Sequence, residues 1–301
     1  MNAPIPHWPG ELRPAGGQRL FVRSAPGDGE PAVYVHGLAG SATNWTDLMS
    51  ELSDRLAGDA VDLPGFGHSP PPAKSDYSIS AHARAVAGFI SARGRGPVHL
   101  FGNSLGGAVA TRLAARRPDL VKTLTLVSPA LPDLRPRYGP TRIAAAAIPG
   151  VGAYGMRKLS ALPAEHRVQG SMEMCYADPS LMHPERLMAL VEEIRRRDDQ
   201  DHTIPAIIGS ARGAVVEYLR LGPRSLWRDA ATIGIPTLVL YGQDDRIVDA
   251  RKATRANRAF RGARVVVLPR VGHVGQMERP DLVAAEFRTL HDHAMAQRAI
   301  A

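Results

Sequence analysis

The sequence predicts an α/β fold, a mostly parallel central sheet covered by helices on both faces and interrupted by a helical insertion. Three observations predict it. Short β-rich apolar runs alternate with helical stretches over the first 130 residues, the links between them are short, and the alternation stops at Pro129 and resumes at Thr237. Residues 1–130 and 233–301 therefore read as two parts of one core, and residues 131–232 as a cap or lid.

In order, Arg19–Ala25 has strand character and meets a Pro-Gly-Asp-Gly turn at Pro26–Gly29. Pro31–Val35 is an apolar run suited to a strand buried on both faces, followed by the loop His36–Gly40 and a helix from about Asn44 to Leu56. Asp59–Asp62 reads as a strand, and Ser80 as the cap of a helix reaching Arg93. Val98–Phe101 and Val121–Val127 read as strands around a helix at Leu105–Arg116. The insertion offers helical pieces at Arg142–Ile148, Pro184–Arg197 and Gly213–Leu219 and no convincing strand. Beyond it follow strand Thr237–Tyr241, helix Ala250–Phe260, strand Arg264–Leu268 and helix Pro280–Met295.

Composition narrows the function classes. With 44% hydrophobic and 22% charged residues the 301-residue chain is neither disordered nor fibrous. One cysteine, Cys175, excludes an internal disulfide framework and a multi-cysteine metal knuckle. No apolar run reaches ~18 residues, and Met1–Pro6 lacks the basic start and apolar run of a secretory signal, so a cytoplasmic protein is expected. The net charge of +8 raises nucleic acid as a partner. The densest basic stretch, Arg246–Arg270, nevertheless lacks aromatic interleaving of the kind that would stack bases and any finger or helix-turn-helix pattern, so no nucleic acid is expected.

Chemistry is concentrated in a few turns. Gly102-Asn103-Ser104-Leu105-Gly106 sits where a strand turns into a helix, the context in which G-x-S-x-G raises a serine hydroxyl at the carboxyl edge of a sheet. A serine needs a base, itself oriented by an acid. Leu268–His273 puts a histidine after the last strand, and Tyr241–Val248 puts Asp244 and Asp245 after the preceding one. In a parallel sheet these loops gather at the edge that carries Ser104.

These turns, with His36-Gly37 and Asp62-Leu63-Pro64-Gly65-Phe66-Gly67, resemble the α/β-hydrolase family, in particular its serine hydrolases with a helical cap inserted after the sixth core strand. The resemblance covers nearly all of the chain outside the cap. It implies a triad of Ser104, Asp245 and His273, with Asp244 as a turn residue and Asp133 as a poor rival acid. It further implies an oxyanion hole built from the backbone N–H groups of Leu38 and Leu105. Gly37, Asn103 and Trp45 are candidate pocket residues, with core packing the competing role for Trp45.

Other residues carry blander expectations. His36 is read as fixing its loop by hydrogen bonds, His68 as a solvated turn residue, His99 as a satisfied core histidine and Cys175 as inert. Met172, Met174, Met182 and Met188 are adaptable lining or core filler. Arg195-Arg196-Arg197 reads as a solvated helix end, with a substrate-binding arginine as the alternative. No metal-ligand spacing and no nucleotide-binding glycine pattern occur, so neither metal nor cofactor is expected. The reading is a cofactor-free serine hydrolase acting on a small apolar ester or ketone. The alternatives are a carbon–carbon bond hydrolase of the meta-cleavage type and a non-catalytic binding protein on the same fold. The cap or an edge strand could join two copies into a homodimer.

Overall fold

A computed structural model of the chain describes residues 4–132, 145, 147–148, 150–220 and 222–300. Among these residues eight strands form one sheet: β1 (Gly10–Pro14), β2 (Arg19–Ser24), β3 (Glu30–Val35), β4 (Leu56–Val61), β5 (Val98–Asn103), β6 (Val121–Val127), β7 (Thr237–Gly242) and β8 (Arg264–Leu268). Their order is β1-β2-β4-β3-β5-β6-β7-β8. β1–β2 and β2–β4 pair antiparallel, and every later pairing is parallel. The order reverses direction at β3, whose neighbours are β4 and β5. The loops after β3 and β5 consequently leave the sheet side by side, at the switch point where α/β sheets bind ligands.

The period-2 alternation of strand side chains divides each apolar run between two cores. Val33 and Val35 of β3 face a cluster built with α2 (Ile79–Arg93) and α3 (Leu105–Arg116), while Ala32 and Tyr34 face one built with α1 (Thr46–Glu51) and the C-terminal α11 (Pro280–Ile300). Trp45 lies fully buried in the second cluster, with its ring 5.4 Å from Tyr34 and 6.4 Å from Phe101. α2 is capped by Ser78, whose Oγ accepts from the Ala81 N–H at 3.1 Å; Ser80 instead accepts from Arg112. The helix expected up to Leu56 ends at Glu51, because Leu56 opens β4 and pairs with Glu30.

No strand occurs among the described residues between β6 and β7. This segment holds α4 (Val151–Ser160), α5 (Ala164–Cys175), α6 (Pro184–Asp198), α7 (Thr203–Leu219) and α8 (Leu226–Thr232). The helix expected at Arg142–Ile148 falls largely outside the described residues. α8 packs with the core, since Leu226, Trp227 and Ala230 join the same apolar cluster as α3. The segment's own small core is formed by Ala164, Val168, Met172, Tyr176 and Val191. α9 (Lys252–Ala259) and α10 (Gly275–Glu278) complete the chain's helices among the described residues.

Candidate active site

Ser104 stands between β5 and α3 with φ 53° and ψ −116°, a conformation that costs a non-glycine residue about 1–3 kcal/mol. The turn is possible because its flanking glycines allow close approach. A Cβ on Gly106 would lie 2.2 Å from the Val35 carbonyl oxygen, and one on Gly102 would lie 2.5 Å from that of Gly106. Leu105 is the first residue of α3, so its N–H has no intrahelical acceptor and follows directly on Ser104.

His273 and Asp245 meet as the order of strands requires. His273 Nδ1 lies 2.9 Å from Asp245 Oδ2, and Asp245 Oδ1 accepts from the N–H groups of Ile247 and Val248 at 2.7 and 2.9 Å. Burial alone would raise the Asp245 carboxyl. The facing His273 and the two N–H donors outweigh it and hold the group below the usual carboxylate range. Asp244, its neighbour, is exposed. Asp133 lies outside the described residues.

Ser104 and His273 line one cavity of about 280 Å³, together with Gly37, Leu38 and Asn103. Asn103 does more than line it: its Nδ2 donates to the carbonyls of Val127 and His273, both at 3.0 Å, tying the strand that leads to Ser104 to the histidine's loop. Trp45 does not line it. Its side chain enters the core from the single 3-10 turn Ala42–Trp45 that precedes α1, and Asn44 takes the cavity wall.

The loop after β3 is shaped from within. Gly40 N–H donates to the Gly37 carbonyl, and Ala39 between them takes φ 56°. His36 donates from Nδ1 to the Gly37 carbonyl at 2.7 Å and accepts the Leu63 N–H on Nε2 at 3.0 Å, so it is a neutral structural ring. Burial pushes it down to about 4. His68 is exposed against Phe21 and lies outside the cavity. His99 is buried and bonded to Thr123 and Glu30.

The cap closes the cavity with an apolar surface that includes Val168, Met172, Met174 and Ile194. Met182 lines a neighbouring cavity and Met188 is exposed. The Arg195–Arg197 run is not uniformly solvated, contrary to the expectation from its charge. Arg195 is on the surface, paired with Glu165 and Glu192, but Arg196 donates to the Gly67 carbonyl at 3.0 Å and Arg197 to the Ala39 carbonyl at 2.6 Å. Arg197 also pairs with Glu193, whose other carboxylate oxygen accepts from Thr43 Oγ1 at 2.9 Å. Burial would raise Glu193, yet Arg197 and the hydroxyls of Ser41 and Thr43 hold it down to about 2.

Sequence reasoning missed a second set of ties, beneath His273. The His273 N–H donates to the Cys175 carbonyl at 2.6 Å. Glu278 accepts from Gly272 N–H on one oxygen at 2.7 Å, and from Ala177 and Asp178 N–H on the other at 2.9 and 3.0 Å. Arg246 donates to the carbonyls of Glu173 and Tyr176. The Cys175 thiol itself is pushed up to about 12 by burial, which leaves it a poor nucleophile. Glu278 lies only five residues after His273, but nothing in its spacing separates it from an ordinary helix-end glutamate.

A family model described as alpha/beta hydrolase fold matches residues 31–280. The chain belongs to this family. A 2-hydroxy-6-oxo-2,4-heptadienoate hydrolase of Pseudomonas putida is 28% identical over 283 residues, covering 93% of each chain. Lipase 1 of Psychrobacter immobilis is 24% identical over 296 residues, covering 94% of this chain and 84% of that protein. The crystal structure of a putative lipase from Acinetobacter baumannii superposes with a TM-score of 0.79 at 22% identity, over 96% of this chain and 92% of that one. No helix among the described residues is long and apolar enough to cross a membrane.

Proposed function

We propose that this α/β-hydrolase is a serine hydrolase that cleaves a neutral, ester-like acyl substrate through an acyl-enzyme. The observation that carries the reading is the buried 2.9 Å His273–Asp245 pair facing the cavity that also holds strained Ser104. Ser104 Oγ attacks the carbonyl carbon while His273 Nε2 takes its proton, and Asp245 keeps the imidazole in the tautomer that can accept it. The N–H groups of Leu38 and Leu105 stabilise the tetrahedral oxyanion, each donor being worth about 2.7–4 kcal/mol of barrier. Collapse breaks the bond to the alcohol, which leaves with the proton from His273. Water then attacks the acyl-enzyme, giving its proton to His273, and the acid departs as Ser104 recovers its own.

The charge inside the cavity favours an ester over the carbon–carbon bond reading. The dienoate in the Pseudomonas relative's name is an acid, and an acid needs an uncommitted cation. Arg197 is the arginine among the described lining residues, and it is already engaged by ionised Glu193 and the Ala39 carbonyl. A second carboxylate beside Glu193 would be repelled. Ser104→Ala should abolish both turnover of a short p-nitrophenyl ester and labelling by a fluorophosphonate. Retained turnover or labelling refutes Ser104 as nucleophile, faster turnover of a ring-fission dienoate than of esters supports the alternative chemistry, and binding without turnover by the wild type supports a non-catalytic role.

A further inference from the structure

Glu30 opens β3, His99 lies near the start of β5 and His291 is on α11; the three meet at the sheet edge opposite the catalytic cavity. One possible ligand atom from each lies within 4.8 Å of the other two. His99 Nε2 is 2.5 Å from Glu30 Oε2, and His291 Nε2 is 3.7 Å from the same oxygen. That second distance is too long for a hydrogen bond, and His291 Nε2 is buried with no partner. A buried polar atom left in this state calls for something to join it to its neighbours.

We propose that Glu30, His99 and His291 form a binding site for a divalent transition-metal ion of the zinc type, which clasps the C-terminal helix to the sheet. Two imidazoles and one carboxylate are a zinc-type donor set, with a fourth position left for water on the partly open Glu30 side. Bonds of about 2.0–2.1 Å separate tetrahedral ligand atoms by roughly 3.3 Å. The 2.5 Å pair must therefore open and the 3.7 Å pair close, as the ion replaces the proton between His99 and Glu30. The far ring nitrogens have outer partners of the kind that orient metal ligands. His99 Nδ1 is 2.8 Å from Thr123 Oγ1, and His291 Nδ1 faces Asp292 Oδ1 at 3.8 Å. Two cations must yield. Lys122 contacts Glu30 Oε2 and passes to the other carboxylate oxygen, while Arg55 gives up its 3.3 Å contact with His291 Nδ1 and keeps Asp292. No regular spacing announces the site, because its ligands come from three distant elements.

The test uses the full, untagged chain freed of metal with a chelator, and does not depend on Ser104 chemistry. Five residues of strand, roughly 16 Å, separate His99 from Ser104. Zinc titration against a chromophoric chelator should give one tight equivalent and a rise in Tm, and cobalt should give the visible absorption of a tetrahedral site. His291→Asn and Glu30→Gln should each lose that equivalent, and Thr123→Val should weaken it by about 10–100-fold. Circular dichroism checks that each variant folds. No stoichiometric binding by the folded wild type overturns the site, as does undiminished binding by either folded ligand variant; the wild-type titration decides the matter should both fail to fold.

Discussion

Replacing Arg197 by methionine tests whether the cap holds the loop that carries the Leu38 N–H. The substitution keeps an apolar stem against the cavity and removes the guanidinium that donates to the Ala39 carbonyl at 2.6 Å. A hydrogen bond from a charged donor is worth about 1.5–3 kcal/mol. If that energy reaches the transition state through the position of Leu38, at 1.36 kcal/mol per factor of ten, kcat should fall roughly 10- to 150-fold. The ceiling is the roughly 10²–10³-fold loss that follows removal of a whole oxyanion donor. KM should change little, because the apolar lining is untouched, and Arg196 on Gly67 together with Arg186 on Asp47 (2.5 Å) still anchors α6. Arg197→Met also strands the buried Glu193 charge, so the decisive companion is Arg197→Met with Glu193→Gln. Steady-state kinetics on a short ester should find the double variant as slow as the single one. A folded Arg197→Met protein with kcat within twofold of wild type refutes the reasoning, and full recovery in the double variant assigns the defect to the stranded charge instead.

Two further outcomes follow from buried groups near the site. Because folding depresses His36 from 6.5 to about 4, the unfolded chain binds the extra proton between those values, and stability falls as pH drops through that window. The His36 share is about 3 kcal/mol at 1.36 kcal/mol per unit; urea unfolding at pH 7 and pH 4.5 should show it, and His36→Gln should remove it while leaving the parallel share of buried His82. Glu278→Gln cannot offer acceptors to both sides, so either the Gly272 N–H or those of Ala177 and Asp178 lose their partner, at a cost of about 1–3 kcal/mol for a buried group. A lower Tm with a reduced kcat is expected, and an unchanged Tm would show that the carboxylate is not what secures the histidine's loop.

Much of this architecture was legible because it rests on local chemistry. Apolar β-rich runs such as Val121–Val127 and glycines flanking Ser104 dictate strands and a sharp turn without reference to distant residues. β1 was not legible: Gly10–Pro14 is a largely exposed edge strand with no apolar alternation, held by its pairing with β2. α5 also escaped, since its polar sequence has few buried positions. At the site, the loop order brings Ser104, Asp245 and His273 to one edge, while the choice between Asp244 and Asp245 becomes physical only when one is exposed and the other buried. Trp45 and Arg197 each had two expected settings, and the core took the first and the cavity wall the second for one reason. Hydrophobicity and charge describe what a side chain prefers, but the direction in which its helix presents it is decided by contacts far away in sequence.

The bond from His273 to the Cys175 carbonyl makes the helical segment a support of the histidine proposed as general base. Grafting the corresponding segment of a relative onto this core, a common route to new selectivity, would replace the bracket on which the imidazole's backbone rests. Chimeras should therefore keep residues 175–178 with the core and exchange only what lies beyond them.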